Sequence, residues 1–242
     1  MTTASLRLAL VGAPNTGKTS LFNRLTGSTQ KVANYPGVTV ERKSGSFTTP
    51  EGRSVTVLDL PGTYSLRGRS PDEEITRDIV LGRFEGEAVP DLVLCVADAT
   101  NLRLTLRLVL ELKRIGRPML LVLNMIDIAK RRGVTIDLER MSQELGLPIV
   151  TAVAVRKGGV DDLLKRTDEL MARAQEATAN QWTAPTVSDL KAAQREADRI
   201  IAASVSLPTK PDTLTNRIDA VVLHPVWGLI ILALILFVMF QA

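Results

Sequence analysis

The sequence predicts an α/β fold built on a mostly parallel, six-stranded sheet. Short β-rich apolar runs alternate with helical patterns through most of the chain, which is typical of doubly wound sheets. A glycine-rich loop also follows the first of these runs directly, at 12–19. The clearest apolar runs are 6–11, 54–60, 92–97, 119–123 and 149–153.

The stretch after Asn101 shows the helical partner of these strands most clearly. Leucine and valine recur on one face, while Arg103, Arg107 and Glu111 fall on the opposite face. Spacing of this kind predicts an amphipathic helix, and Gly116 ends it.

Breaks in the pattern divide the chain into three predicted parts. Residues 1–176 form the α/β domain, and a polar stretch ends it. Residues 177–223 repeat apolar residues at helical spacing around a second break, which predicts a small helical module. Residues 224–242 contain the uncharged run 226–240, which predicts a C-terminal hydrophobic helix and the start of a first transmembrane helix, since a span needs about 20 such residues. A buried core helix is the alternative, because shorter apolar runs are often buried.

The composition describes a mildly basic globular chain, with 30 basic and 26 acidic residues and a net charge of +4. This balance does not by itself imply a nucleic-acid partner. The excess of basic residues lies before residue 179, where an anionic ligand would need it. The single cysteine, Cys95, falls inside an apolar run, which predicts a buried thiol and excludes disulfides. No secretory signal pattern opens the chain, so we expect the first domain in the cytoplasm.

A phosphate-binding loop is predicted at 12–19, because Gly-Ala-Pro-Asn-Thr-Gly-Lys-Thr follows a strand and opens a helix. In such a loop the backbone N–H groups converge on the β-phosphate and Lys18 bridges the β- and γ-phosphates. The Thr19 hydroxyl is predicted to bind Mg2+. The predicted nucleotide contacts in this segment are Gly12, Ala13, Pro14, Asn15, Thr16, Gly17, Lys18, Thr19 and Ser20.

Two further motifs end later strands, Asp-Leu-Pro-Gly at 59–62 and Asn-Met-Ile-Asp at 124–127. In the first, Asp59 is predicted to hold Mg2+ through water, and the Gly62 N–H to bind the γ-phosphate. In the second, Asp127 is suited to accept hydrogen bonds from N1–H and the exocyclic amine of guanine, a donor pair that adenine lacks. Asn124 is expected to tie this motif to the phosphate loop, and 154–156 to offer backbone N–H to the guanine carbonyl. The predicted contacts are Asp59, Leu60, Pro61, Gly62, Asn124, Met125, Ile126, Asp127, Ala154, Val155 and Arg156.

With these elements in order, the first domain resembles the GTPase superfamily typified by Ras, and finer features are similar to the FeoB family of ferrous iron transport proteins. The similar segments are 34–43 (Asn-Tyr-Pro-Gly-Val-Thr-Val-Glu-Arg-Lys), 59–66, Met125 in place of the usual lysine, and 217–225 before the apolar helix. The resemblance implies a Ras-like P-loop GTPase fold and Mg2+-dependent hydrolysis of GTP to GDP and phosphate. It also makes Thr39 the switch I threonine that joins Mg2+, with Gly37 and Val38 beside the nucleotide.

Asn15 resembles the asparagine that binds K+ beside the phosphates in FeoB and related cation-activated GTPases. Thr63 stands where Ras has a water-orienting glutamine, so in-line attack by water must be arranged otherwise. A K+ ion at Asn15 would supply the charge neutralisation that other G proteins obtain from an arginine. The alternative is that Asn15 only stabilises its loop. The predicted catalytic residues are therefore Asn15, Lys18, Thr39 and Gly62.

Several acidic and apolar residues are open to two interpretations. Glu73 or Glu74 would be placed to position water, although we favour solvated acids in the first turn of a helix. Met125 removes the lysine stem and charge near the base, which predicts modest nucleotide affinity and rapid GDP release. His224 has no neighbouring metal ligand, so we expect it to mark the entry to the apolar helix rather than to bind iron.

The resemblance implies the GTP-hydrolysing cytoplasmic part of a bacterial Fe2+ uptake transporter, which gates transport through switches I and II. The expected partners are GTP or GDP, the inner membrane through the C-terminal helix, and the remaining membrane domain of the transporter. Homo-oligomerisation stays open, and no nucleic-acid partner is expected. One alternative is a soluble ribosome- or tRNA-associated G protein, against which the neutral tail and its apolar end argue. A second is a module that holds GTP as a signal and scarcely hydrolyses it.

Overall fold

The computed structural model describes residues 6–27, 30–36, 38–156, 158–173, 182–206 and 220–241. The strands are β1 (Leu6–Gly12), β2 (Gln30–Asn34), β3 (Glu41–Thr48), β4 (Ser54–Asp59), β5 (Leu92–Asp98), β6 (Met119–Asn124), β7 (Thr135–Ile136), β8 (Ile149–Thr151) and β9 (Val205–Ser206). The helices are α1 (Lys18–Thr26), α2 (Pro71–Leu81), α3 (Leu102–Lys113), α4 (Ile126–Arg131), α5 (Leu138–Leu145), α6 (Asp161–Arg173), α7 (Val187–Ser204) and α8 (Trp227–Gln241).

The central sheet of the described part has seven strands in the order β2-β3-β4-β1-β5-β6-β8. Strand β1 pairs in parallel with β4 and β5, β5 with β6, and β6 with β8. Strands β2 and β3 form an antiparallel hairpin, which joins the sheet through β4. The prediction of a mostly parallel α/β sheet is confirmed, but the predicted number of six strands was wrong. The sequence could not signal β2, because this edge strand is exposed along its whole length and has no buried face to mark it.

The core lies on both faces of the sheet. Strands β5 and β6 are buried almost throughout, which explains their continuous apolar sequences. One face packs against α1 and α6, and the other against α2, α3, α5 and α7. Cys95 lies in the middle of β5 with no exposed surface, as predicted, and burial raises the pKa of its thiol to about 12.

Helix α7 carries part of the predicted helical module and packs directly on the α/β core. Its Ala197 and Ile200 have no exposed surface and belong to the cluster that contains the buried faces of α3 and α5. A capping box between Thr186 and Asp189 starts the helix. At its other end, β9 pairs with β7, so the chain after α4 is joined to the end of α7. Half of the predicted boundary at 177–186, residues 177–181, lies outside the described residues.

The apolar helix α8 begins at Trp227, after a turn in which the His224 Nδ1 accepts hydrogen bonds from the Val226 and Trp227 N–H groups, at 3.2 and 3.4 Å. This places His224 at the helix entry that the sequence predicts for it. None of the side chains of α8 is buried. Within the described ranges, no helix combines the length and the apolar character that crossing a bilayer requires. The transmembrane assignment of 224–242 therefore stays a prediction.

Candidate functional site

The predicted motifs converge on the edge of the sheet where the parallel strands end. Strand β1 stops at Gly12, the phosphate loop follows, and α1 begins at Lys18. The register that pairs Leu10 with Asp59 brings the end of β4 beside the start of this loop. The Thr63 N–H then donates to the Gly12 carbonyl at 3.0 Å. The first two motifs are thus held together by backbone contacts.

Gly17 is required at its position by both conformation and space. Its φ is 80°, in the left-handed region that side chains rarely adopt. A Cβ there would lie 2.2 Å from the Asn124 amide nitrogen. That nitrogen donates to the Thr16 carbonyl at 3.0 Å, while the Asn124 Oδ1 accepts from the Ala154 N–H at 3.2 Å. Asn124 therefore ties its own turn to the phosphate loop, as the sequence predicts, and also contacts the later segment at Ala154.

Lys18 and Asp59 form a buried ion pair, with side chains that are 10% and 5% exposed. The cation predicted to hold phosphates thus touches the carboxylate predicted to hold Mg2+. Burying either charge alone is costly, and the contact between the two side chains offsets that cost.

Two adjoining cavities open over the phosphate loop. One, of about 500 Å³, is bordered by Asn15, Lys18 and Met125. The other, of about 550 Å³, is bordered by Thr19, Thr39 and Asp59, the three residues predicted to bind Mg2+. Lys18, Thr19 and Gly62 border both.

The oxygens around the second cavity fit Mg2+. Two hydroxyls and one carboxylate are hard donors, and Mg2+ in proteins is usually held by one or two carboxylates together with substrate phosphates and water. In the part of the chain that the structure describes, no group of three or more His, Cys, Asp or Glu side chains could hold a metal ion. The donor set suits a metal that arrives with phosphates rather than one held by a closed protein cage.

The switch I segment follows β2 and is partly anchored in the core. Thr39 is exposed, and Gly37 lies outside the described residues. Tyr35 is 1% exposed, and its ring packs edge-on against Phe84 with centroids 5.4 Å apart. Burial raises the pKa of the Tyr35 hydroxyl. Tyr35 thus connects switch I to the chain that follows α2.

The loop predicted to read the base is built from two segments. Met125, in a left-handed conformation with φ 60°, precedes α4, and Asp127 lies in the first turn of that helix. The Asp127 carboxylate lies 3.4 Å from the Arg156 guanidinium, so the last predicted segment does meet the motif. Within that segment, the Ala154 N–H donates to Asn124 and the Arg156 N–H to Val153. Because these two N–H groups already donate within the protein, Val155 is the residue of this segment whose N–H we predict to face guanine.

The acids at the start of α2 lie in the first turn of that helix. The Glu73 carboxylate accepts from the Arg69 N–H at 2.9 Å, and Glu74 is exposed, which agrees with the interpretation as first-turn acids. Asp72, which lies outside the sequence motifs, borders both cavities. Thr63 is 2% exposed, and its hydroxyl donates to the Ser65 carbonyl at 2.6 Å. Its side chain is therefore held within its own turn.

This architecture defines a class. A mostly parallel sheet with a phosphate loop after β1, an Asp-x-x-Gly turn after β4 and an Asn-x-x-Asp turn after β6 is a Ras-like P-loop G domain. The family model for ferrous iron transport protein B matches residues 6–167, and the chain belongs to this FeoB family. Membership removes the ribosome-associated alternative.

Individual relatives support the family. The chain is 44% identical over 171 residues to the Fe(2+) transporter FeoB of Escherichia coli K12. These aligned residues cover 69% of this chain and 21% of that protein. It is 46% identical over 162 residues to the Fe(2+) transporter FeoB of Salmonella typhimurium, covering 65% and 20%. The chain thus spans about a fifth of the length of these curated relatives.

Solved structures agree with the fold. The cytosolic domain of the T. maritima FeoB iron transporter in a GDP form superposes with a TM-score of 0.72 at 30% identity, covering 85% of this chain and 100% of that one. Its GMPPNP form gives a TM-score of 0.70 at 30% identity, covering 83% and 99%. The cytosolic domain of L. pneumophila FeoB gives 0.68 at 28% identity, covering 83% and 99%.

Proposed function

We propose that this chain binds GTP and hydrolyses it to GDP and phosphate with Mg2+, as the cytoplasmic part of a bacterial ferrous iron transporter. The observation that carries the proposal is the meeting of Lys18, Thr19, Asp59 and Gly62 around adjoining cavities, with the Asn124–Asp127 turn tied to the same loop. The GDP and GMPPNP forms of the T. maritima domain add support.

The phosphate loop would bind the β- and γ-phosphates through its backbone N–H groups and the N-terminus of α1. Lys18 would exchange its contact with Asp59 for the phosphate oxygens, because these offer a higher density of negative charge. Asp59 would then be released to hold a metal-bound water. Thr19, Thr39 and Asp59 are the residues that would hold Mg2+, which supplies charge neutralisation on the phosphates when bound.

Gly62 would donate its backbone N–H to the γ-phosphate, and Thr39 would close toward the same group. GTP and GDP differ by that phosphate alone, so these two residues would report the nucleotide state to switch I and to switch II, the chain that follows Gly62. Met125 beside Lys18 replaces a cation, which favours modest affinity and rapid release of GDP.

A K+ ion at Asn15 would neutralise further charge during hydrolysis. The support is the position of Asn15 on the cavity wall beside Lys18, together with Thr63, whose buried hydroxyl is already bonded to Ser65. The remaining steps belong to the whole transporter: gating of Fe2+ passage, attachment to the inner membrane through α8, and contact with a membrane domain. Their support is the family and the printed names of the relatives.

The base specificity gives a direct test of the proposal. Asp127→Ala removes the acceptor for two guanine donors, so we expect the KM for GTP to rise by about 100-fold. Phosphate release from GTP and from ATP, measured with the purified chain, would check this. The matched control is Asp162→Ala, which removes an exposed acid from the first turn of α6 and is expected to leave the KM unchanged. Equal turnover of ATP and GTP, or an unchanged KM in Asp127→Ala, would contradict the proposal.

A further inference from the structure

Glu111 is a buried carboxylate on α3, outside the three sequence motifs. Helical spacing predicts it on the polar face with Arg103 and Arg107, yet it is only 4% exposed. Its Oε2 accepts from the Leu66 N–H at 2.8 Å and from the Ser65 hydroxyl at 3.0 Å. The chain after Gly62 therefore covers the part of the polar face of α3 that carries Glu111.

The loop that Glu111 holds is short and starts beside Gly62. On one side, the Thr63 N–H fixes it to the Gly12 carbonyl of the phosphate loop at 3.0 Å. On the other side, Glu111 binds Ser65 and Leu66, and Arg107 donates to the Tyr64 carbonyl at 3.2 Å. The segment 63–66 is thus fastened between the phosphate loop and α3.

Burying a carboxylate at this position costs desolvation free energy, which an apolar side chain would not cost. Burial raises the pKa of Glu111, and the hydrogen bonds from Leu66 and Ser65 and the charge of Arg107 oppose that rise. Arg107 lies on the same helix, 3.7 Å away from the carboxylate. Charged acceptors make stronger hydrogen bonds to backbone N–H than neutral ones, so this arrangement fixes the loop more firmly than apolar contacts would.

We propose that Glu111 is a positioning residue of switch II: through Ser65 and Leu66 it sets the register of the segment 63–66 and thereby aims the Gly62 N–H at the γ-phosphate. The proposal rests on the proposed function. It assigns Glu111 no contact with the nucleotide. Its effect is confined to ligands that carry a γ-phosphate, because GDP offers Gly62 nothing to bind.

The chemistry of the contacts separates two substitutions. In Glu111→Gln, the amide oxygen still accepts from the Leu66 N–H, and the amide nitrogen donates to the Ser65 hydroxyl oxygen. In Glu111→Ala, both contacts are lost and the Leu66 N–H is left without its acceptor. A positioning role therefore predicts that glutamine preserves the function and alanine does not.

The experiment compares the affinities of the whole chain for GDP and for a non-hydrolysable GTP analogue, by titration with fluorescent nucleotides, together with kcat for GTP. We expect Glu111→Ala to weaken the binding of the analogue by about tenfold relative to the binding of GDP, and to lower kcat by a similar factor. Glu111→Gln should keep the wild-type ratio of the two affinities. Ser65→Ala, which removes only one of the two contacts, should shift the ratio in the same direction by less.

A core truncation on the opposite face of the sheet separates positioning from general destabilisation. Leu163→Ala removes a fully buried side chain of α6 and is expected to lower Tm without changing the ratio of the two affinities. The inference is overturned if Glu111→Ala leaves that ratio unchanged, or lowers both affinities together. A wild-type chain that neither binds nor hydrolyses GTP would instead overturn the proposed function.

Discussion

Asn15 adopts a left-handed backbone conformation inside the phosphate loop, with φ 64°. Asparagine tolerates this region better than most residues, whereas alanine pays a steric cost there. Loss of activity in Asn15→Ala would therefore mix backbone strain with the loss of a K+ ligand. Asn15→Gly removes the amide and relieves the strain, so its effect on activity reports the loss of the proposed K+ ligand alone.

The proposed K+ site at Asn15 predicts that one substitution removes a specific stimulation of GTP turnover. We expect GTP turnover by the wild type to be at least about tenfold faster in KCl than in NaCl, since a positioned cation stabilises charge that develops on the phosphates. Asn15→Gly should lose this stimulation and retain GDP binding, and steady-state phosphate release in the two salts measures it. An Asn15→Gly variant that K+ still stimulates would favour the alternative in which Asn15 only shapes the loop.

Helix α7 is the element that joins the predicted helical module to the G domain. It contacts α3 and α5 through buried apolar side chains, while Arg103–Asp198 and Arg199–Glu144 pairs lie at the edges of the contact. Exposed ion pairs add little to stability, so the apolar contact holds the helix in place. Because α3 also carries Glu111, the same helix touches both switch II and α7.

Truncation of Ile200 tests how firmly α7 is docked. Ile200 has no exposed surface, so Ile200→Ala should lower the free energy of unfolding by about 2–4 kcal/mol through lost burial and the cavity left behind. Urea unfolding of the whole chain measures this. Arg103→Ala, which removes only an exposed ion pair with Asp198, serves as the control and should change little. A loss in Ile200→Ala no larger than that of the control would mean that α7 is not part of the cooperative core.

At the scale of the whole molecule, the sheet domain buries its apolar residues and α8 does not. Helix α8 has 15 residues and carries no charged side chain, and none of its residues is buried. At about 1.5 Å per residue this is shorter than the roughly 30 Å of a bilayer core. A continuous exposed apolar surface of this kind marks an interaction site, and the proposed one is a membrane.

A charge in the middle of α8 tests the membrane proposal. We expect the whole chain to co-sediment with phosphatidylcholine vesicles, and Leu234→Arg to weaken this partitioning by about 100-fold, because arginine near a helix centre costs about 3 kcal/mol in a bilayer. Leu104→Arg, at a half-exposed position on α3, is the matched control and should bind as the wild type does. Equal sedimentation of Leu234→Arg and the wild type would exclude α8 as the membrane contact.

The sequence by itself determined the α/β class, the phosphate loop and the two later motifs. Each of these depends on residues close together in the chain. A parallel strand buried on both faces shows as a continuous apolar run, and the loop that follows it carries its ligand-binding residues at fixed spacing. Parallel strands end at a common edge, so the positions of Asp59 and Asn124 beside the phosphate loop followed from strand order.

The tertiary structure alone decided the seventh strand, the position of Asp72 and the burial of Glu111. Strand β2 has no apolar face to mark it in the sequence. Glu111 looks like any polar residue of an amphipathic helix, and only its contact with Leu66, 45 residues earlier, shows otherwise. Local periodicity records which face of a helix is polar. Whether another part of the chain then covers that face depends on long-range packing, which local spacing does not contain.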